Sequence, residues 1–331
     1  MTLFSLYLSV ISTLACAIIA NYSTLLLSRA LIGFSVGLNF STHCILTAEL
    51  ISTKKILDEI LMISFLMYSV GGVWSAILGY LLLDVVGWRI FILLTSLPFF
   101  IPPICIVHFC IEEKSGPKMQ QIEDEENQTV KKETVTVPNF VARTTKLGLF
   151  CFVFMFQGWL TILLVPRFIQ VFKINDAQSN SDCSTTATQG KELLLLAFVT
   201  FAAILGRLST HFTREKFSFR KSQVIFAILN VACFGGMLAQ DHLVVVLAFN
   251  FIVNFLYGVS YMASSYIVYD INYFGADRFA LGSSVAIAVG LMGGACGTAM
   301  AAFAPLLPVI ITALVLSALQ ILVVLSITEV D

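Results

Sequence analysis

Runs of about twenty apolar residues recur along this chain, each long enough to cross the roughly 30 Å hydrocarbon core of a bilayer as an α-helix. Ten such runs lie between polar connectors: 3–20, 24–47, 58–83, 89–110, 147–168, 192–210, 223–240, 243–268, 279–304 and 305–327. Inside lipid no water is present to bond a peptide N–H or C=O, so a lone spanning segment must satisfy its backbone internally, as a helix. The charge content agrees. Only 12% of the 331 residues are charged and 58% are hydrophobic, whereas soluble domains carry about a quarter charged residues. The expectation is an all-α membrane protein with ten transmembrane helices.

The first run has no Lys or Arg before it, so it lacks the basic start of a signal peptide and reads as a span. Lys and Arg in the connectors set the orientation. One side collects Lys54, Lys55, Lys114, Lys118, Lys131, Lys132, Arg143, Lys146, Arg207, Arg214, Lys216, Arg220, Lys221 and Arg278. The other holds Arg89, Arg167, Lys173 and Lys191. The richer side is cytoplasmic, and an even span count puts both termini there. The 111–146 connector, with its acidic Glu123-Asp124-Glu125-Glu126 stretch, is too poor in apolar residues to fold alone. It divides the chain into an N-terminal four-helix bundle (1–110), a cytoplasmic linker (111–146) and a C-terminal six-helix bundle (147–331). The polar 169–191 segment, with Ser179-Asn180-Ser181-Asp182, reads as an irregular outer loop.

Adding 221 to the residue number lays the first four spans on the last four, with Gly37 on Gly258 and Glu49 on Asp270. Parallel repeats of this kind occur in transporter folds. The spans within 147–210 then have no upstream counterpart. By this arithmetic roughly 75 residues and two helices are expected ahead of Met1.

Several classes are disfavoured. No dense basic stripe serves nucleic acid. The eight cysteines show no metal or disulfide spacing. His43, His108, His211 and His242 are scattered, so no metal site or catalytic constellation is expected, no cofactor is implied, and an enzyme is not the reading. No phosphate-binding loop occurs in the connectors, so direct ATP coupling is not encoded.

The chain resembles the major facilitator superfamily, with the branch of organic-ion and synaptic-vesicle-protein-related transporters nearest. The residues that carry this are Arg29-x3-Gly33-x3-Gly37, then Ala48-Glu49 with Lys54-Lys55, and Gly87-Trp88-Arg89. The resemblance implies helices three to twelve of a twelve-helix fold in two pseudo-repeated bundles. It also implies a secondary active or facilitative transporter of a small organic solute, such as an organic ion, working by alternating access. A proton or sodium ion would be the coupling partner, and the lipid bilayer of the plasma membrane or an intracellular vesicle the surroundings. The sequence departs from the family pattern at Gly206-Arg207-Leu208-Ser209-Thr210, where Thr210 stands in place of an acid. The competing reading is a truncated, non-transporting membrane protein with a regulatory or interaction role.

Polar groups inside spans are costly and so mark candidate sites. Asn250, Asn254, Tyr257 and Tyr261 are spaced 4, 3 and 4, which places them on one helical face. That stripe could line a cavity or bond neighbouring helices. Asn39 and His43 share a face of the second span, and Gln157 lies in the fifth. The resemblance implies that Glu49 with Lys55, and Asp270 with Arg278, form conformational latches; Arg29 would serve as a further anchor. Small residues at Gly71, Ser75 and Gly79, at Gly290 and Gly294, and at Gly293 and Gly297 predict close helix packing.

Overall fold

The computed structural model describes residues 2–18, 21–50, 54–106, 139–177, 186–213, 218–239, 242–275 and 278–327. The regular elements among them are helices: α1 Thr2–Ile18, α2 Tyr22–Leu50, α3 Lys54–Ile106, α4 Phe140–Ala177, α5 Thr186–Thr213, α6 Phe219–Leu238, α7 Leu243–Val268, α8 Ile271–Phe274, α9 Phe279–Phe303 and α10 Leu306–Ser326. Seven helical segments are long and apolar enough to span a membrane: Ile56–Cys105, Phe140–Ile169, Leu193–Thr210, Phe219–Leu238, Leu243–Val268, Phe279–Phe303 and Leu306–Ser326. Leu3–Ile18 and Ser23–Asn39 are shorter apolar helices.

Ile56–Cys105 covers 50 residues, more than twice what one crossing needs. The expected break between 58–83 and 89–110 is present as a single residue: Gly87 adopts φ 74°, ψ 160° within α3. Side chains are essentially excluded from that region of backbone space. Gly87→Ala is therefore expected to cost about 1–3 kcal/mol, read as a lower melting temperature in detergent. Beyond Gly87 the Arg89 guanidinium lies over the Trp88 ring at 5.4 Å.

The segment expected as an outer loop is partly helical. Helix α4 continues through Pro166 to Ala177, and α5 begins at Thr186. Pro166 removes one backbone donor, but no Gly or Pro follows it before Ala177, so nothing local stops the helix. The Ser179–Asp182 run and the 111–138 stretch of the linker lie outside the described residues. The α9–α10 division falls at Pro305. Ala304 is extended at φ −83°, ψ 151°, as steric crowding before a proline favours.

Internal contacts divide the chain into two units, Met1–Glu49 with Leu81–Thr136 and Leu50–Tyr80 with Val137–Asp331. In the first unit, α1 turns Ser5, Ser9, Ser12 and Thr13 inward. The Ser9 and Ser35 hydroxyls meet at 2.6 Å, which ties α1 to α2.

In the second unit α4 packs along α9, α5 along α7 and α6 along α10. Glycines allow the first two pairings. A Cβ at Gly293 or Gly297 would strike the Phe152 or Phe156 carbonyl. One at Gly206 or Gly258 would strike the Phe255 or Ala203 carbonyl. The packing role expected of Gly293 and Gly297 is thus met, whereas a Cβ at Gly71 would find nothing within 4 Å. One apolar cluster joins Phe156, Leu160, Leu164 and Phe168 of α4 to Phe234 and Met237 of α6, Val253 of α7 and Val309 of α10. Cations close the helix ends. Arg167 donates to the Ala302 and Ala304 carbonyls, and Lys146 Nζ to the Ser326 carbonyl at 2.8 Å. These are the carbonyls a helix C-terminus leaves without partners.

Between α7 and α9, Arg143 Nη1 donates to the Tyr273 carbonyl at 3.1 Å, and the Tyr273 hydroxyl donates to the Arg143 carbonyl at 3.5 Å. Tyr273 lies outside the spanning segments. Burial pushes its phenol above the ordinary value of 10.0, while Arg143 opposes the shift. The native state therefore keeps this proton longer than the unfolded chain does. The stabilisation is full below pH 10 and lost as pH rises through the native value. Melting between pH 8 and 11 should fall less steeply in Tyr273→Phe than in wild type.

Candidate functional site

The second unit buries polar amides within its apolar core and exposes large apolar side chains. Gln157, Gln223, Asn230, Asn250, Asn254, Ser317 and Gln320 are buried, while Phe303 is 88% and Val244 79% exposed. Lipid is the solvent that makes such a surface stable. The amides inside must find partners among themselves, because a buried polar group without one is costly.

Helices α4, α6, α7 and α10 bring some of these groups around one cavity of about 260 Å³, bordering open space included. Its walls are Gln157 and Phe154 from α4, Asn230 from α6, Tyr257 and Ser260 from α7, and Gln320 from α10. Gln157 Nε2 donates to the Ser317 hydroxyl at 2.9 Å. Gln320 Nε2 donates to Gln223 Oε1 at 3.5 Å, and Gln223 Nε2 to the Ser260 carbonyl at 3.3 Å. Asn230 Oδ1, Ser260 Oγ and Gln320 Oε1 are buried with no protein partner. Two amide oxygens and a hydroxyl thus retain hydrogen-bonding capacity at the cavity. The Tyr257 ring forms its aromatic wall, stacked on Phe154 at 4.7 Å and 14°. It lies where Gly158 has no side chain: a Cβ there would fall inside the ring.

The predicted stripe on α7 divides its work. Asn250 Nδ2 donates to the Thr161 carbonyl at 3.3 Å, and Asn254 Nδ2 to the Asn250 carbonyl at 2.9 Å. Asn250 thus ties α7 to α4, while Asn254 bonds back to Asn250 within α7, and neither is among the cavity walls. Tyr257 reaches the cavity beside Gln157. Tyr261 packs instead on Phe65, at 5.2 Å, and beneath Arg207, at 4.5 Å. Asn39 is half-buried and His43 exposed, both on α2 of the first unit.

Among the latch candidates, Arg29 is exposed. The Arg278 guanidinium lies over the Phe140 ring at 5.3 Å, and Asp270 lies half-buried just past the end of α7. The side chains of Glu49 and Lys55 lie outside the described residues.

Sequence reasoning passed over Asn230, Ser260 and Gln320, although each amide stands in an apolar run as Asn250 does. The rule that singled out Asn250 would have found them. Arg207 reads in sequence as one of the connector cations and part of the Gly206–Thr210 pattern, yet it is 2% exposed, and its Nη1 donates to the Phe65 carbonyl.

Comparison with curated proteins found no match. The family model described as Major Facilitator Superfamily matches residues 1–298 of the 331. Its members are integral, multi-pass membrane transporters of small solutes, in keeping with the apolar helices and buried amides seen here. With most of its length under that one model, the chain belongs to the Major Facilitator Superfamily.

Proposed function

We propose that this protein is a secondary active or facilitative transporter of a small organic solute, working by alternating access. The observation that carries the reading is the polar, aromatic cavity held among apolar helices in the second unit. Its freely accessible space is about the size of one water molecule. A space this small admits no organic solute, so passage requires helices to move.

In this reading α3 supplies two spans, one on each side of Gly87, and α1 and α2 are spans as well. The count is then ten, in bundles at 1–110 and 147–331 joined by the 111–146 linker. Both termini and the linker face the cytoplasm, which the excess of Lys and Arg in those connectors supports. The relation to the organic-ion branch rests on Arg29, Gly33, Gly37 and Gly87-Trp88-Arg89. Gln157 and Tyr257 are cavity residues; Asn250 sets the spacing of α4 and α7, and Asn254 braces Asn250. Asn39 and His43 remain candidates for the first bundle's share of the solute path. Glu49 with Lys55, and Asp270 with Arg278, are the latches to test, with Arg29 as an anchor and a proton or sodium ion as the coupling ion.

The test is uptake by proteoliposomes holding the purified full chain, offered radiolabelled small organic anions, cations and neutral solutes in turn. Saturable uptake of at least one class, above that of empty vesicles, is expected. Vesicles with verified, folded protein that take up none of them would refute transport.

A further inference from the structure

Arg207 is the one charged side chain in the fully buried set among the described residues. It stands three residues inside the end of the Leu193–Thr210 span, and a helical side chain there leans back toward the start of its helix, deeper into the membrane. Its surroundings offer only fractions of a negative charge. Nη1 donates to the Phe65 carbonyl. The guanidinium lies over the Tyr261 ring at 4.5 Å and the Tyr68 ring at 5.8 Å. Nε is buried with no partner. None of these contacts is a carboxylate. A full cation held inside a membrane is costly unless a full counter-charge or water meets it, and the guanidinium fork is shaped for a planar anion.

The cover over this charge is uneven. Phe65 and Tyr261 are buried, but Tyr68 is half exposed. Of the two rings beside the guanidinium, Tyr68 is thus the exposed one. Tyr68 and Tyr261 present ring faces to the charge, and the Phe65 ring packs against Tyr261. The interior of this unit would repel a cationic solute and attract an anionic one.

We infer that Arg207 is the substrate-charge residue of this transporter: the transported solute carries a carboxylate or a comparable anionic group that pairs with the Arg207 guanidinium when the Tyr68 ring swings aside. The solute's apolar body then rests on the Tyr261 ring. The inference rests on the transport reading for the word substrate, while the anion site itself can be tested without it.

The experiment uses the purified full chain in neutral detergent, and the same protein in phosphatidylcholine vesicles, which carry no anionic lipid headgroup. Three probes share a benzene ring and differ in head charge: benzoate, benzamide and benzylammonium. Binding is measured by calorimetry and uptake by radiolabel. Wild type is expected to bind benzoate at least about 10-fold more tightly than the other two. Arg207→Gln should weaken benzoate binding about 10- to 100-fold, the range for a lost charge-assisted hydrogen bond, and leave benzamide unchanged. Arg207→Lys, which keeps the charge without the fork, should recover part of the loss. Should Arg207→Gln fail to fold, the wild-type ranking of the three probes and the Arg207→Lys variant still decide. Equal binding of benzoate and benzamide, binding of none of the three, or undiminished benzoate affinity in Arg207→Gln overturns the inference. Benzoate binding that depends on Arg207 without benzoate uptake keeps the anion site and counts against transport. Benzylammonium uptake without benzoate binding keeps transport and removes the anion site.

Discussion

Protein carrying Gly258→Val should melt well below wild type in detergent and reach the membrane in much lower amount. The cause is the crossing of α5 and α7. Gly258 faces the Ala203 carbonyl, and Gly206 on the partner helix faces the Phe255 carbonyl. The two helices touch backbone to backbone at two reciprocal points. A side chain at Gly258 meets main-chain atoms that cannot rotate away, so the helices must part. Overpacking of this kind costs about 3 kcal/mol or more when the backbone has to move. Parting α5 from α7 would also pull Arg207 away from Tyr261. Gly235→Ala is the contrasting case. A Cβ there finds nothing within 4 Å, and alanine suits a helix better than glycine by roughly 0.5–1 kcal/mol. It should be neutral or slightly stabilising. Equal melting of the Gly258→Val and Gly235→Ala proteins would mean that the close crossing is not as described.

The second large effect is expected on uptake. Tyr257→Ala should lower the initial rate at least about 10-fold, because it removes the aromatic wall of the cavity and uncovers Gly158. Truncating a buried ring costs about 3–5 kcal/mol in stability as well, so the alanine variant alone cannot separate a missing contact from a collapsed bundle. Tyr257→Phe separates them. It keeps the stack on Phe154 and gives up only the contact from the hydroxyl to Met155 Sδ at 3.6 Å, a weak acceptor. Its rate should stay within a few-fold of wild type, with normal melting. An alanine variant that transports like wild type would remove Tyr257 from the path of the solute.

Most of the fold could be read in the sequence because one physical rule governs it. A peptide chain in lipid has no solvent for its backbone, so length and hydropathy locate helices directly. The expected span 243–268 coincides with α7, Leu243–Val268. Where chemistry was less one-sided, the reading slipped. The 169–177 stretch was taken as loop because it is polar, although polarity alone does not stop a helix that meets no Gly or Pro. Gly87 was visible as a connector, but not as the single non-helical residue within one long helix, since positive φ is a property of the assembled backbone.

The site was legible only in part. Spacing of 4, 3 and 4 puts Asn250, Asn254, Tyr257 and Tyr261 on one side of α7, but a face is wider than a cavity. Which of its members bond another helix and which reach open space depends on the rotation of α7 against α4, and no local signal sets that. Asn250 is met by the Thr161 carbonyl; Tyr257, two turns on, is not. Asn230 and Gln320 sit on different helices, α6 and α10, and only their convergence gives them weight. Arg207 shows the same limit from the other side. Its neighbours in sequence are a glycine and a polar connector, which suggest a solvated charge. Its neighbours in space are Phe65, Tyr68 and Tyr261, from helices distant in the chain.

The proposed alternating access requires the buried amide cluster to open to water in turn from each side of the membrane. Ser260→Cys, placed in a chain otherwise free of cysteine and reconstituted in vesicles, reports on it through a membrane-impermeant thiol reagent. The account predicts slow labelling from outside and, separately, from inside, with the balance shifted by a transported solute. A thiol that stays inert to the reagent from both sides, in protein that still melts cooperatively, would contradict it.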